Sequence, residues 1–546
     1  MPAWWWQLND GRMVDVKYVL AIAGAVLLAW YALAETVEQA RPGKRIRDGL
    51  LILVAVLSTG AWWNFGRFHF NPFIHYYEFY HYYLGAKYAP ELGYTRLYDC
   101  TVAAEDEYAH LGPALERLRI RDLTNNELGT SAMALAHPER CKEHFSPERW
   151  QAFMVDSDFF RRASSWQFWS HALEDNGYNA TPVWRIAAGM LANGNSLSDQ
   201  TLYDLALLDP ILLACMGFVL WWAFGWQTLC VALIFFGTNY PARYFWTGGG
   251  FLRMDWLFAT VASICLMKKG RPFGAGVAIA VATLLRVFPG LLLGAFVVKL
   301  AVQSWRAKKI AVTPAQRRFI FGGLAAVALL VPIATWYGGG IDCWRGFVEN
   351  SKKHVSTPLT NNMGWRTVIA YSRETRAQID RDIRDFDPFH KWKHDQNENF
   401  RAGRIVWLAG IVGFLALLGL AVPRHDDWVA LTLGVGLILF SAQLTSYYFI
   451  VMLAYATLWP VLRWSGCALA VVCAASCWIS AHWLGWDDER YVAISLLYLV
   501  FILGVTAAMT RFSSEAPAPS PQKSGTGKRN SRRRGAKRGS TRSGLA

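Results

Sequence analysis

No two cysteines in this 546-residue chain stand at the CxxC spacing of a structural zinc site, so zinc-ribbon and zinc-finger chemistry has no ligand set here. No segment repeats at a fixed period, and the inverted repeat typical of many transporters is missing. The apolar stretches do not alternate with polar residues, which excludes a transmembrane β-barrel. The N-terminal stretch lacks the basic region and small-residue cleavage site of a signal peptide. Its Trp4-Trp5-Trp6 suits an anchor at a membrane interface instead.

What the chain has is apolar length. A hydrophobic fraction of 53% with 27 tryptophans decides nothing alone, because soluble proteins approach it. The arrangement decides. Apolar runs fall at 19–34, 50–65, 210–226, 251–267, 319–337, 405–422, 428–440, 448–461, 466–484 and 492–509. Most approach the roughly 17–20 residues that cross a bilayer core as helix. The run 229–240 is short, and 273–300 is long enough for two broken segments. The expected fold is an all-α polytopic membrane protein of about 11–13 transmembrane helices with a large helical extracytoplasmic loop.

Loop charge orients it. Arg41, Lys44, Arg45 and Arg47 follow the first run; Lys268, Lys269 and Arg271 follow the fourth; Arg306, Lys308, Lys309, Arg317 and Arg318 precede 319–337. Residues 511–546 hold ten Lys/Arg and one acid, Glu515, which is nine of the fifteen net positive charges. All four basic clusters reach the cytoplasmic side only if 273–300 crosses twice, and Pro289 suggests a break there. The expected layout is two helices (1–66), an external loop (67–209), a central bundle (210–337), a second external loop (338–404), C-terminal helices (405–510) and a basic cytoplasmic tail (511–546). The N-terminus is then external, in a cell (inner/cytoplasmic) membrane. The tail's Ser, Pro and Gly content predicts no packed core. It reads as a solvated tail that supports topology, with no nucleic acid expected.

Six cysteines (Cys215, Cys230, Cys265, Cys467, Cys473, Cys477) lie in apolar runs and read as small buried residues. Cys100, Cys141 and Cys343 lie in loops, and Cys100 could pair with Cys141 if the loop faces an oxidising compartment. In the first loop, Ser146-Pro147 reads as a helix cap, and Asp156-Ser157-Asp158 as a helix start rather than a metal motif. Phe159, Phe160, Trp166 and Trp169 fall at helical spacing, an apolar face for packing.

The stretch 73–88, FIHYYEFYHYYLGAKY, carries the candidate chemistry. As a helix it sets His75, Glu78, His81 and Tyr82 on one face. A half-buried Glu among aromatics is a candidate general base, since burial raises its pKa; otherwise it belongs to an aromatic belt at the interface. The stretch continues to Gly93, then Leu97-Tyr98-Asp99. A carboxylate just outside an early span, followed by this G–x–x–x–LYD pattern, resembles the GT-C membrane glycosyltransferases, specifically glycosyltransferase family 87 and related mannosyltransferases that use polyprenol-phosphate mannose. The family usually has Asp where this chain has Glu78, and Asp99 is the fallback acid. Residues 247–255 (TGGGFLRMD), the basic turn at 268–272 and Arg286 before Pro289 are similar to the family's middle region. Residues 349–354 (ENSKKH) and 360–366 (TNNMGWR) resemble its polar loop.

The resemblance implies transfer of a hexose, mannose-like, from a polyprenyl-phosphate sugar to a lipid-linked or glycan acceptor, with inversion. Glu78 would act as base. His75, His81, Tyr82, Arg253, Lys353, His354 and Arg366 would hold substrate or donor phosphate, and Arg286 would be a charged group at membrane depth, buried or snorkelling. Because the leaving group is a lipid monophosphate, no metal or other cofactor is strictly required; a divalent cation stays open. The rival reading is a polytopic transporter or a flippase for lipid-linked sugars, which would place charges along a pathway within its spans.

Overall fold

The computed structural model describes residues 10–38, 43–68 and 73–511. Trp4-Trp5-Trp6, Arg41, the segment 69–72 and the basic tail from 512 lie outside the described residues.

The chain is an all-α polytopic membrane protein. Among the described residues, seven helices are long and apolar enough to cross a bilayer: Gly11–Glu35, Asp199–Phe224, Phe288–Ala307, Pro314–Tyr337, His390–Arg424, Trp464–Trp483 and Asp487–Met509. Their outer faces carry large apolar side chains that nothing covers, such as Phe321 at 68% exposure, Trp336 at 82% and Ile405 at 80%. In water such faces would aggregate; in lipid they are solvated. Four shorter apolar helices, Trp226–Thr238, Pro272–Leu285, Asp427–Ser441 and Ser446–Leu458, pack with Asp255–Lys268, while Lys44–Trp62 buries one face and leaves Ile46 and Val56 exposed on the other. Residues 273–300 are broken as Pro289 suggests: one helix ends at Leu285, and a 3-10 turn, Phe288–Leu292, starts the next. Helices Pro272–Leu285 and Pro314–Tyr337 touch backbone to backbone, since a Cβ on Gly276 would lie 1.9 Å from the Phe319 carbonyl. Small residues permit this approach where lipid gives helices no hydrophobic reason to associate.

Ser446–Leu458 is a 3-10 helix of 13 residues, almost wholly buried. At about 2.0 Å per residue it reaches roughly 26 Å, farther than an α-helix of equal length, though 3-10 runs beyond one turn are uncommon.

Two apolar cores form. One lies among the membrane helices; the other, with Tyr80, Tyr83, Tyr88, Tyr98, Trp169 and Trp184, belongs to the first loop. In that loop Ser146 caps helix Pro147–Ala163, accepting from the Arg149 N–H at 3.3 Å. The expectation for Asp156-Ser157-Asp158 is corrected: they fall within this helix, not at its start. Asp156 pairs with Lys87 at 2.7 Å, and Asp158 with Arg161 and Arg162. Of the aromatic face, Phe160 and Trp169 are buried and Trp166 is exposed. A disulfide joins Cys100 to Cys141, with Cα atoms 5.3 Å apart. The loop docks on helix Pro272–Leu285 through Thr181 Oγ1, which donates to the Leu284 carbonyl at 2.6 Å, and on the Gly-rich loop before Asp255 through Trp184 Nε1, which donates to the Leu252 carbonyl at 3.2 Å.

Candidate functional site

The aromatic stretch starts its helix at Tyr76, because His75 caps it: Nδ1 accepts from the Glu78 N–H at 3.3 Å. The helix is not regular. It widens into a π turn over Tyr80–Leu84 before resuming at Gly85. Such turns insert a residue and re-aim side chains. His75, Glu78, His81 and Tyr82 nevertheless all line one cavity.

The Gly-rich loop wraps this helix start. His75 N–H donates to the Gly249 carbonyl at 2.9 Å. Gly249 has φ +69°, and a Cβ there would lie 2.1 Å from the Phe73 carbonyl oxygen. Both facts demand glycine. Gly249→Ala is therefore expected to lower the thermal midpoint by several degrees, whereas Gly270→Ala, at φ +68° in open space, separates strain from collision and should cost less. Equal midpoints for the two variants, read by thermal unfolding in lipid nanodiscs, would remove the collision argument.

The loop delivers Arg253. Its backbone N–H and that of Met254 donate to the buried Asp209 carboxylate at 2.9 and 3.0 Å. Arg253 Nε lies 3.0 Å from Glu78 Oε2. That oxygen has no aligned hydrogen bond, so the pair is held by charge. The guanidinium is packed between the rings of Tyr82, at 4.7 Å, and Tyr447, at 5.2 Å. Burial pushes the Glu78 carboxyl up, against the opposing pull of Arg253 and His81.

Arg286 ends helix Pro272–Leu285 in extended backbone. It does not snorkel: the side chain is buried, 5.7 Å from the Tyr82 ring and 5.8 Å from that of Trp184. Nη1 donates to the Leu285 carbonyl at 3.3 Å, while Nε and Nη2 have no hydrogen-bond partner.

Glu78 and Arg286 line a cavity of about 780 Å³, walled by the aromatic helix, the Asp175–Thr181 segment, the second loop and Tyr447-Tyr448 at the start of the 3-10 helix, whereas Arg253 lies outside the lining, behind Glu78. Strand Asn362–Met363 pairs with Leu444–Thr445, which holds the second loop beside those tyrosines.

The other expected site residues divide. His81 offers little to a ligand, because Nδ1 donates to the Tyr77 carbonyl at 2.7 Å and Nε2 meets Tyr98 Oη at 2.8 Å. His75 is engaged similarly, with Nε2 3.2 Å from the Phe245 carbonyl. Both histidines shape the site. His354 lines the cavity, but burial and then Lys353 push its pKa down to about 4, so it is neutral near pH 7 and supplies no charge for phosphate. Lys353 lies outside the lining and donates to the Leu123 carbonyl. Arg366 also lies outside it, 4.2 Å from the Phe400 ring. Asp99 is away from the cavity; burial, with Asp122 next, raises its pKa to about 6.

The sequence reading missed Asp175, Asn176, Asn179, Trp392, Tyr447 and Tyr448 as cavity residues. No local motif marks them. The Tyr447-Tyr448 pair at the head of an apolar run was the one available signal. Comparison with protein-family models, with curated proteins and with solved structures returns no match.

Proposed function

We propose that this chain is a membrane glycosyltransferase of the GT-C type, moving a hexose from a polyprenyl-phosphate sugar to an acceptor hydroxyl at the external face. The observation that carries the reading is the buried Glu78 carboxylate, on a cavity that also presents the Arg286 guanidinium.

In this reaction the acceptor oxygen attacks the anomeric carbon as the bond to the phosphate oxygen breaks. Glu78 takes the acceptor's proton, and the lipid monophosphate leaves. Attack from the opposite face inverts the anomeric centre through an oxocarbenium-like transition state. A carboxylate raised by burial is a better base than an exposed one. Arg253 favours the ionised form of Glu78 against the opposite push of burial, while Arg286, whose Nε and Nη2 lack hydrogen-bond partners, stabilises charge on the departing phosphate. Asp99, Lys353 and Arg366 have no part in this scheme, and His354 enters only as a neutral group. Membranes incubated with a panel of labelled polyprenyl-phosphate sugars should yield labelled glycan product; no product from any donor would overturn the reading.

The orientation is part of the proposal. The Cys100–Cys141 disulfide supports an oxidising, external side for the first loop. Cysteines introduced at Gly112 and Gly525 should be labelled by an impermeant maleimide from opposite sides of the membrane. Labelling from one side would overturn the assigned topology.

A further inference from the structure

The cavity has two ends of different character. Glu78 has Arg253, His81, Asp175 and Arg286 as titratable neighbours. His354 has Lys353, Asp175 and Arg121, and Lys393 has Asp387, Arg121 and Glu127. Asp175 therefore stands between an inner part around Glu78 and an outer part around His354 and Lys393.

Five cations and five carboxylates line the whole cavity. Setting aside Glu78 and Arg286 of the inner part leaves four of each sign, Asp175 at the boundary among them. Most outer charges are already satisfied: Arg119 pairs with Glu174 at 2.7 Å and Lys393 with Asp387 at 2.6 Å. Arg121 donates to the carbonyls of Glu174 and Asn126, both at 2.7 Å. An anion gains little from such a wall.

What the outer part offers is neutral. Phe389 and Phe168, both half-buried, offer ring faces to it, and Trp392, 2% exposed, reaches its wall with little more than an edge. Trp392 Nε1, His354 Nε2 and Asn176 Oδ1 have no hydrogen-bond partner. Leaving buried donors and acceptors unmatched is costly, and ligand hydroxyls would relieve that cost. A pyranose ring has an apolar C–H face for aromatic rings and a rim of hydroxyls for neutral donors and acceptors. A cavity of this size takes a ligand larger than one sugar phosphate.

We infer that the outer part of the cavity binds a neutral oligosaccharide, seated on Phe168 and Phe389 and hydrogen-bonded by Trp392 Nε1, His354 and Asn176. If the chain is a glycosyltransferase, as proposed above, this is its acceptor site, and the acceptor is a neutral glycan rather than an anionic one.

The test is saturation-transfer NMR on the full-length protein in lipid nanodiscs, free of glycoside detergents. The probes are mannotriose, maltotriose and cellotriose, with trigalacturonate as the anionic counterpart. At least one neutral trisaccharide should bind, and Trp392→Ala and His354→Ala should each weaken it at least fivefold. Trp392→Phe, which keeps a ring but removes the Nε1–H donor, should weaken binding as His354→Ala does, and it carries the test with His354→Ala if Trp392→Ala does not fold. The inference is overturned if no neutral trisaccharide binds, if trigalacturonate binds more tightly, or if folded variants bind like the wild type. Binding without sugar transfer would remove the proposed reaction and leave this site standing. Transfer with binding indifferent to Trp392 and His354 would do the reverse.

Discussion

Glu78→Gln is expected to leave a folded protein whose sugar transfer falls by about 10²–10⁴-fold, the usual contribution of a positioned general base. Gln keeps the volume and an acceptor oxygen beside Arg253, which also retains its contacts with the Tyr82 and Tyr447 rings. Glu78→Asp keeps the carboxylate but shortens its reach, so partial activity is expected. The pH dependence gives a second readout. Because burial raises the Glu78 pKa, activity should fall on the acid side from a pH above the ordinary carboxylate range. The stability sign is opposite to that of a surface carboxylate. The folded state binds this proton more readily than the unfolded chain, so Glu78 contributes stability that grows as pH falls through the folded value toward the unfolded one. Glu78→Gln should remove that dependence together with the acid limb. A Glu78→Gln enzyme with wild-type kcat/KM would end the assignment of Glu78 as base.

The parts of this protein that were legible in its sequence depend on local rules. Apolar run length gave the membrane helices, because a helix in lipid must satisfy its own backbone and cover it with apolar side chains. Pro289 marked the break after Arg286, since proline cannot continue the hydrogen-bond ladder. Ser146-Pro147 marked a helix start, and spacing put His75, Glu78, His81 and Tyr82 on a common wall. Apart from the Cys100–Cys141 pairing, long-range features were not legible. Arg253 and Glu78 are brought together by the fit of a Gly-rich loop over Phe73–His75, and no local pattern encodes which carboxylate a distant arginine will meet. His354 was expected to hold phosphate; its neutrality follows from burial beside Lys353, a property of tertiary packing. The Asp156-Ser157-Asp158 reading failed because the helix that Ser146 caps runs on through it; Arg161 and Arg162 are its neighbours three and four residues on from Asp158, and only Lys87 is brought to it by the fold.

Arg286 is where activity and stability should separate. Its guanidinium is buried, and Nε and Nη2 have no partner. In the protein without substrate those groups cost free energy, because each has left water without regaining a hydrogen bond. Methionine matches the length, is apolar and adapts to irregular space. Arg286→Met should therefore hold or raise the thermal midpoint, while kcat/KM for the polyprenyl-phosphate donor drops. Hydrogen bonds to a charged group contribute about 1.5–3 kcal/mol, which corresponds to roughly 10–150-fold in rate. If the contact forms mainly as charge builds on the leaving phosphate, kcat falls with KM nearly unchanged; if it binds donor and transition state alike, KM rises alone. Arg286→Lys keeps the charge but not the planar fork of donors, and should fall between the two. A purely structural Arg286 would show the opposite pattern, with Arg286→Met losing thermal stability and its folded fraction keeping full kcat/KM.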